Sequence, residues 1–280
     1  MVATAKINYA EKSCAVLEVE SVAGESAVTS AFASTPLKLL TPVSRGQSVW
    51  AYTSSFGGGF VAGDETRLEL NIGNHARCFL GTQASTKIYR NPRQRACSHS
   101  TQATVGENAL LVFAPDPVQP FTCSSYVQRQ TFQLEAGAGL VLVDWFTSGR
   151  AARGERWAFD RFQSRNEVFI AGQRVFLDAI LLNPANGFTA SSHQTGRFNC
   201  FATMLVMGLS LKEFAEKLTQ EISTRPVGRR DPLVASASAI PGGALLRIAG
   251  ESVEEVGRAL HHHLKFVAPL LGDDPWQRKW

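Results

Sequence analysis

Four stretches of the chain share one pattern: NIGNHARCFL (71–80), TVGENALLVF (104–113), LEAGAGLVLV (134–143) and FIAGQRVFLD (169–178). Each sets a glycine (Gly73, Gly106, Gly137, Gly172) ahead of an apolar run, at spacings of 33, 31 and 35 residues. Glycine suits a tight turn there, because it adopts positive φ without the clash that a Cβ brings. The flanking runs are rich in Val, Ile, Leu and Phe, with partial alternation at 68–70 (LEL) and 132–134 (FQL), and read as strands. A period in the low thirties with two or more strands per unit predicts stacked coils of sheet. A β-helical body is therefore expected in preference to a β-sandwich, whose turns also recur.

Outward from this core, Val16 and Val19 among polar neighbours predict a first strand, and the N-terminal residues lack the apolar run of a signal peptide. Toward the C-terminus the period changes. NCFATMLVM (199–207) reads as a strand. Ser210 with Glu213 has the spacing of a capping box, and Leu211, Phe214, Ala215 and Leu218 share one helical face. ProGlyGly at 241–243 turns into a further strand. Ser252 with Glu255 opens a second helix, striped by Val253, Val256, Leu260, Leu264 and Val267. Both amphipathic helices should lie against the sheet or a partner. The expected fold is mainly β, a β-helical, solenoid-like body with two C-terminal amphipathic helices. Residues 1–280 are read as one domain, with the body at 1–198 and strands plus two helices at 199–280.

Composition narrows the functional classes. The 280 residues are 44% hydrophobic and 19% charged, too apolar for a disordered chain, and no run approaches the ~20 apolar residues of a membrane helix. Five scattered cysteines form no C-x-x-C pair, which argues against a zinc knuckle or a disulfide framework and points to a reducing cytosol. The net charge of +4 gathers in two clusters, Lys87 with Arg90, Arg93 and Arg95, and Arg150 with Arg153, Arg156, Arg161 and Arg165. No nucleic-acid module accompanies them, so carboxylate pairing or an acidic protein partner is the better reading.

The motifs are informative chiefly by what they fail to match. GGGFVAGD (57–64) lacks the Lys-Ser/Thr of a phosphate loop, and Ala62 sits where a dinucleotide fingerprint needs glycine. It reads as a glycine-rich bend at Gly57, Gly58, Gly59 and Gly63, presenting Asp64. TQASTKIYR (82–90) offers Gln83, Ser85, Thr86 and Lys87 at a strand end. DWFTSGRAARGERWAF (144–159) is the densest polar segment, where an Asp144–arginine or Glu155–arginine network is the plain structural reading. His261, His262 and His263 are consecutive, so on a regular helix they diverge by about 100° each and cannot all clamp one ion. Cys97-x-His99 supplies two ligand types, short of a site. There is no G-x-S-x-G elbow and no H-E-x-x-H pair. Asp64, Asp116 and Asp144, each near a turn, leave open a β-helical carbohydrate hydrolase or lyase with paired carboxylates.

In that order GGGFVAGD, TQASTKIYR, PDPVQPF and DWFTSGRAARGERWAF, followed by a tail ending in PWQRKW, resemble the UreD (UreH) family of urease accessory proteins. The likeness is close over residues 45–182 and looser over the C-terminal tail. It implies a cytoplasmic nickel-insertion chaperone with no turnover of its own and no firmly bound cofactor. Such a chain binds apo-urease and the accessory protein UreF, which recruits the GTPase UreG, and nickel passes in transit through an internal channel. No nucleic-acid or membrane partner is implied. Carried onto matching positions, Asp64 and Glu155 become channel candidates, since carboxylates bind nickel weakly enough to release it. Gln83, Thr86 and Lys87 would line the path or hold the fold, and Gly58, Gly59, Gly63, Arg150 and Arg153 would brace it. The histidine triplet is no hallmark of the family.

Overall fold

Alternation of burial along the strands locates the core before any topology is drawn. The computed structural model describes residues 13–43, 46–188, 191 and 193–277. In strand β12 (Ser125–Leu134) every second side chain is buried, whereas β13 (Gly139–Thr147) is buried at almost every position. The first belongs to a sheet with one wet face, and the second to a sheet covered on both faces.

The first sheet runs in the order β15 (Gln173–Leu182), β14 (Arg161–Ile170), β12, β9 (Cys97–Val105), β6 (Glu65–Ile72), β1 (Cys14–Val22), β2 (Glu25–Ala33). Its five central strands are parallel, and β2 and β15 close the edges as antiparallel hairpin partners. The second sheet is built on β4 (Val49–Ser55), β7 (Arg77–Thr82), β10 (Leu110–Phe113) and β13, again parallel. It is flanked by β3 (Leu37–Leu40) on one side and by the antiparallel β16 (Cys200–Met207), β18 (Gly243–Gly250) and β17 (Leu233–Ile240) on the other. A third, narrow strip pairs β5 (Gly59–Phe60), β8 (Thr86–Ile88) and β11 (Val118–Pro120) in parallel. The chain thus winds from the first sheet to the second and on to the strip, in about four turns of a β-solenoid. The expected β-helical body is present.

The glycine period needs correcting. Ile72, Val105, Leu134 and Ile170 lie side by side in the ladder, 33, 29 and 36 residues apart. Gly73 and Gly106 are equivalent, but the matching position in the next coil is Glu135, and Gly137 lies two residues further on. The position that takes positive φ in these stacked turns is held by His75 (61°), Asn108 (53°) and Gly137 (70°). Gly73 and Gly106 answer to crowding: a Cβ would meet the Glu20 carboxylate at 2.0 Å and the Asn74 backbone nitrogen at 2.8 Å, respectively. Gly172 belongs to no coil. With Ala171 (φ 48°) it makes the two-residue hairpin between β14 and β15.

Two apolar cores result. Leu111, Phe113, Leu140, Leu142 and Phe146 point into the solenoid with Leu70, Phe132 and Phe162 of the first sheet. Their neighbours Val112, Val141 and Val143 face outward into a second core with the C-terminal helices. Helix α1 (Lys212–Ser223) contributes Ala215, Leu218 and Ile222, α2 (Val253–His263) contributes Val256 and Leu260, and a short α3 (Val267–Leu271) adds Val267 and Leu271. The apolar stripes of both expected helices are therefore covered by the second sheet, not held out for a partner. The second stripe spans two helices, because the chain breaks after His263 and Val267 opens α3.

Ser252 caps α2 as expected: its Oγ accepts from the Glu255 N–H at 3.2 Å and donates to the Glu255 carboxylate at 3.1 Å. Ser210 does not cap α1. A 3₁₀ turn over Leu209–Leu211 precedes the helix, and Leu211 occupies the cap with no side-chain bond. Strand β17 carried no strong sequence signal. Its Ala-Ser alternation lies at the edge of the second sheet beside α1, where small side chains admit the helix. The N-terminal segment 1–12, which bears on the absence of a signal peptide, and the end of the PWQRKW tail lie outside the described residues.

Candidate functional site

Inward-facing positions of a solenoid ladder are normally apolar, and two rows here are not. Thr66, His99, Gln128 and Ser164 stand in register on four adjacent parallel strands, with Thr101, Gln130 and Asn166 in the next inward row. Because neighbouring coils stack along the solenoid axis, the rows form a polar track running with that axis. Apolar layers bound it: Tyr126 and Phe162 on one side, Phe132 and Val168 on the other.

Asp144, projecting from β13 of the opposite sheet, closes the track. Its Oδ1 accepts from Gln128 Nε2 at 3.0 Å, and its Oδ2 accepts from Ser164 Oγ at 2.6 Å and Asn166 Nδ2 at 2.7 Å. Gln130 Nε2 donates to Asn166 Oδ1 at 2.7 Å, and Tyr126 donates its hydroxyl to Gln128 Oε1 at 3.1 Å. Burial pushes the Asp144 carboxyl above the usual carboxylate range, opposed by those three donors and reinforced by the nearby Asp178. His99 sits between Thr66 Oγ1 (2.8 Å) and Thr101 Oγ1 (3.3 Å), and burial drives its imidazole down to about 4, so it is neutral near pH 7. Of the two expected alternatives, the arginine network forms at Glu155, and no arginine bonds Asp144 among the described residues. Amides and a hydroxyl hold this carboxylate instead.

A cavity of about 110 Å³ reaches this group and is also lined by Gly58, Thr86, Lys87, Asp116 and Trp145. Lys87 is exposed and Asp116 half-exposed, whereas Asp144, Gln128 and Gln130 are buried, so the cavity leads from the surface strip inward. Thr82 Oγ1 donates to Asp116 Oδ2 at 2.9 Å and accepts from the Asp116 N–H at 2.7 Å, which fixes that carboxylate at the outer end.

The sequence candidates divide around this cavity. Thr86, Lys87 and Gly58 line it. Gly59 pairs with Lys87 across β5 and β8, and a Cβ there would lie 2.2 Å from the Lys87 carbonyl oxygen, so only glycine lets the strip close. Gln83 is exposed and donates its N–H to the Thr53 carbonyl at 2.8 Å. Asp64 lies outside the lining residues. It is half-buried in the bend before β6, where its Oδ2 accepts the Val61 N–H at 2.9 Å, and a Cβ on its neighbour Gly63 would meet the Arg95 guanidinium at 3.0 Å. Asp64 does stand close enough to Cys97 to help raise that thiol, which burial holds at about 12.

Glu155 also lies apart. Arg150 clamps it through Nε at 2.9 Å and through a second, short contact from Nη2, while the Thr122 N–H at 3.4 Å and Arg90 at 3.5 Å complete its shell. The Arg150 fork holds Glu155 down at about 2. Arg150 also stacks on Phe121, 4.2 Å from the ring centroid, and Arg153 is exposed in the neighbouring 3₁₀ turn. Arg165 and Arg174 clamp Glu167 in the same manner. Of the two basic clusters, Arg90, Arg150 and Arg165 pair with carboxylates within the chain.

The sequence reading does not single out the track residues Gln128, Gln130, Ser164 and Asn166, and takes His99 only as a possible ligand beside Cys97. One signal was available: in YVQRQTFQL and FQSRNEVFI the polar Gln128, Gln130, Ser164 and Asn166 hold the same phase as the core residues Phe132, Leu134 and Val168. All five cysteines are free, with Cys123 alone exposed, and Cys97 and His99 gather no third metal-ligand type of side chain among the described residues.

The geometry defines a β-solenoid enclosing a polar lumen with one buried carboxylate, reached by a narrow cavity with a second carboxylate at its outer end. The chain matches the family model of the UreD urease accessory protein over residues 11–280. It is 48% identical to urease accessory protein UreD of Sorangium cellulosum over 92% of this chain and 81% of that one. It is 40% identical to the UreD of Anaeromyxobacter (94% and 88% covered) and 33% identical to urease accessory protein D of Oryza sativa subsp. indica (99% and 99%). The chain belongs to the UreD family of urease accessory proteins, which are named for assisting urease and not as ureases. No helix among the described residues is long and apolar enough to cross a membrane.

Proposed function

We propose that this chain is a urease-maturation scaffold that docks apo-urease and the UreF–UreG pair and passes nickel toward the urease active site without turnover of its own. One observation carries the reading: the polar track that ends on Asp144 and opens through the Asp116–Lys87 cavity. A solenoid interior gains nothing in stability from aligned Gln, Ser, Asn and Asp side chains that apolar residues would not supply, since burying polar groups costs free energy even when they are paired. Oxygen donors spaced along an axis suit a cation in transit, each holding it weakly enough to let go. Asp144 and Asp116 are the inner and outer carboxylates of that path. Asp64, on the same side of the body as Cys97, is retained as an approach residue, and Glu155 as a brace.

The hydrolase alternative is not favoured. Asp64 does not share the cavity with Asp116 and Asp144, and about 110 Å³ falls short of the ~300 Å³ at which ligand pockets begin.

The test is co-expression of urease with its other accessory proteins, with and without this chain, followed by nickel content and urea hydrolysis. Nickel-poor, inactive urease only in its absence is expected. Full activation without it removes the proposal. Within that assay Asp64→Ala should lower activation severalfold while melting close to wild type, because the lost Asp64–Val61 bond is local and half-exposed, worth about 1 kcal/mol. An Asp64→Ala chain that activates urease fully takes Asp64 off the path.

A further inference from the structure

Outside the lumen, one group of side chains is arranged for a ligand that the lumen reading does not call for. We propose that Glu221, His262 and His263 form a site for a borderline divalent cation, of the nickel and zinc class, on the helical layer of the protein. Glu221 lies in the last turn of α1, and the two histidines end α2. The Glu221 carboxylate reaches both rings: Oε1 lies 3.2 Å from His262 Nε2, and Oε2 lies 3.8 Å from His263 Nδ1. All three donors fall within 4.8 Å of one another, and no other trio of His, Cys, Asp and Glu does so among the described residues.

Consecutive histidines on a helix diverge by about 100°, which alone argues against a shared ion. Here the third donor resolves that difficulty. It comes from a different helix and stands in the angle between the two rings, whose centroids are 5.0 Å apart and whose planes cross at 81°. An ion with bonds of about 2.1 Å to imidazole and carboxylate places tetrahedral donors about 3.4 Å apart, close to the 3.2 and 3.8 Å that separate the Glu221 oxygens from the two rings. His263 is the anchored member, its side chain only 4% exposed, whereas His262 and Glu221 are more than half exposed and free to adjust. Two imidazoles with one carboxylate match the borderline divalent metals rather than calcium or magnesium, which take oxygen donors. The depression that holds the trio is open, leaving a coordination position for water or for a donor from another molecule. Arg225 and Arg258 line the same depression and weaken the site, and Glu255 offsets part of their charge. His261 is excluded, since its ring faces Trp276 at 5.8 Å.

The site stands independently of the maturation role, and its test needs no urease. The purified full-length chain is titrated calorimetrically with NiCl₂ and, separately, with ZnCl₂ near pH 7.5. Glu221→Ala and His262→Ala follow, with His261→Ala as the control, and a Co²⁺ absorption spectrum reads the ligand field directly. Loss of one equivalent, or at least tenfold weaker binding, is expected in both variants, with a Co²⁺ band that disappears in each and persists in the control. Unchanged titrations in Glu221→Ala and His262→Ala overturn the site, as does a wild-type chain that binds neither metal. The variant positions are exposed on helices, so matching melting curves separate loss of the site from loss of the fold.

Discussion

Glu155 and Asp144 lie eleven positions apart in one polar segment and meet opposite fates. Glu155 is clamped by a guanidinium at the surface and titrates near 2, while Asp144 is sunk among amides and hydroxyls and rises. A carboxylate whose folded pKa is depressed stabilises the fold at pH above its unfolded value, and that contribution disappears as pH falls toward the folded one. For Glu155 the window runs from about 4.5 down to about 2. Glu167, also held near 2 by Arg165 and Arg174, behaves alike. Thermal melting between pH 6 and pH 2.5 should therefore show a wild-type loss of stability on the acid limb that is shallower in Glu155→Gln, and shallower still with Glu167→Gln added. Parallel acid limbs in wild type and the double variant would contradict that assignment.

Among the elements, two helix starts with the same sequence spacing differ in structure. Ser252 bonds the Glu255 N–H, and Ser210, displaced by the 3₁₀ turn before α1, bonds nothing at its helix start. Ser252→Ala should cost about 1 kcal/mol, as the loss of a working cap does. Ser210→Ala, on an exposed position, should stay within about 0.5 kcal/mol. Urea denaturation of both variants checks this, and equal losses would mean that Ser210 caps in solution. The capping pattern was legible in both places. What distinguished them was Gly208, whose φ of 124° turns the chain out of β16 and starts the 3₁₀ turn one residue later, a backbone event that no side-chain pattern announces.

At the scale of the molecule, the exposed apolar surface is not where helix amphipathicity places it. The stripes of α1 and α2 are buried on the second sheet, and Val175, Leu177 and Leu181 stand out from β15, the edge strand of the first. An exposed edge with apolar side chains is a template for association. Leu177→Lys with Leu181→Lys should reduce concentration-dependent association of the isolated chain in light scattering and leave the melting temperature nearly unchanged. Association that persists undiminished would shift responsibility to another surface.

The sequence contained enough to establish a mostly β chain, its coil-like repetition, the late change to helices and the family resemblance, because hydrophobic period and turn residues are local properties. It misplaced the period itself. Coils of 33, 29 and 36 residues align by hydrogen-bond register, and register depends on which strand lies beside which. For the same reason Gln128, Ser164 and Asn166 looked like ordinary strand polarity until stacking set them side by side facing Asp144. The Glu221–His262–His263 trio likewise joins residues 41 and 42 positions apart. Side chains distant in sequence become a site only when long-range packing brings their donors within a few ångströms.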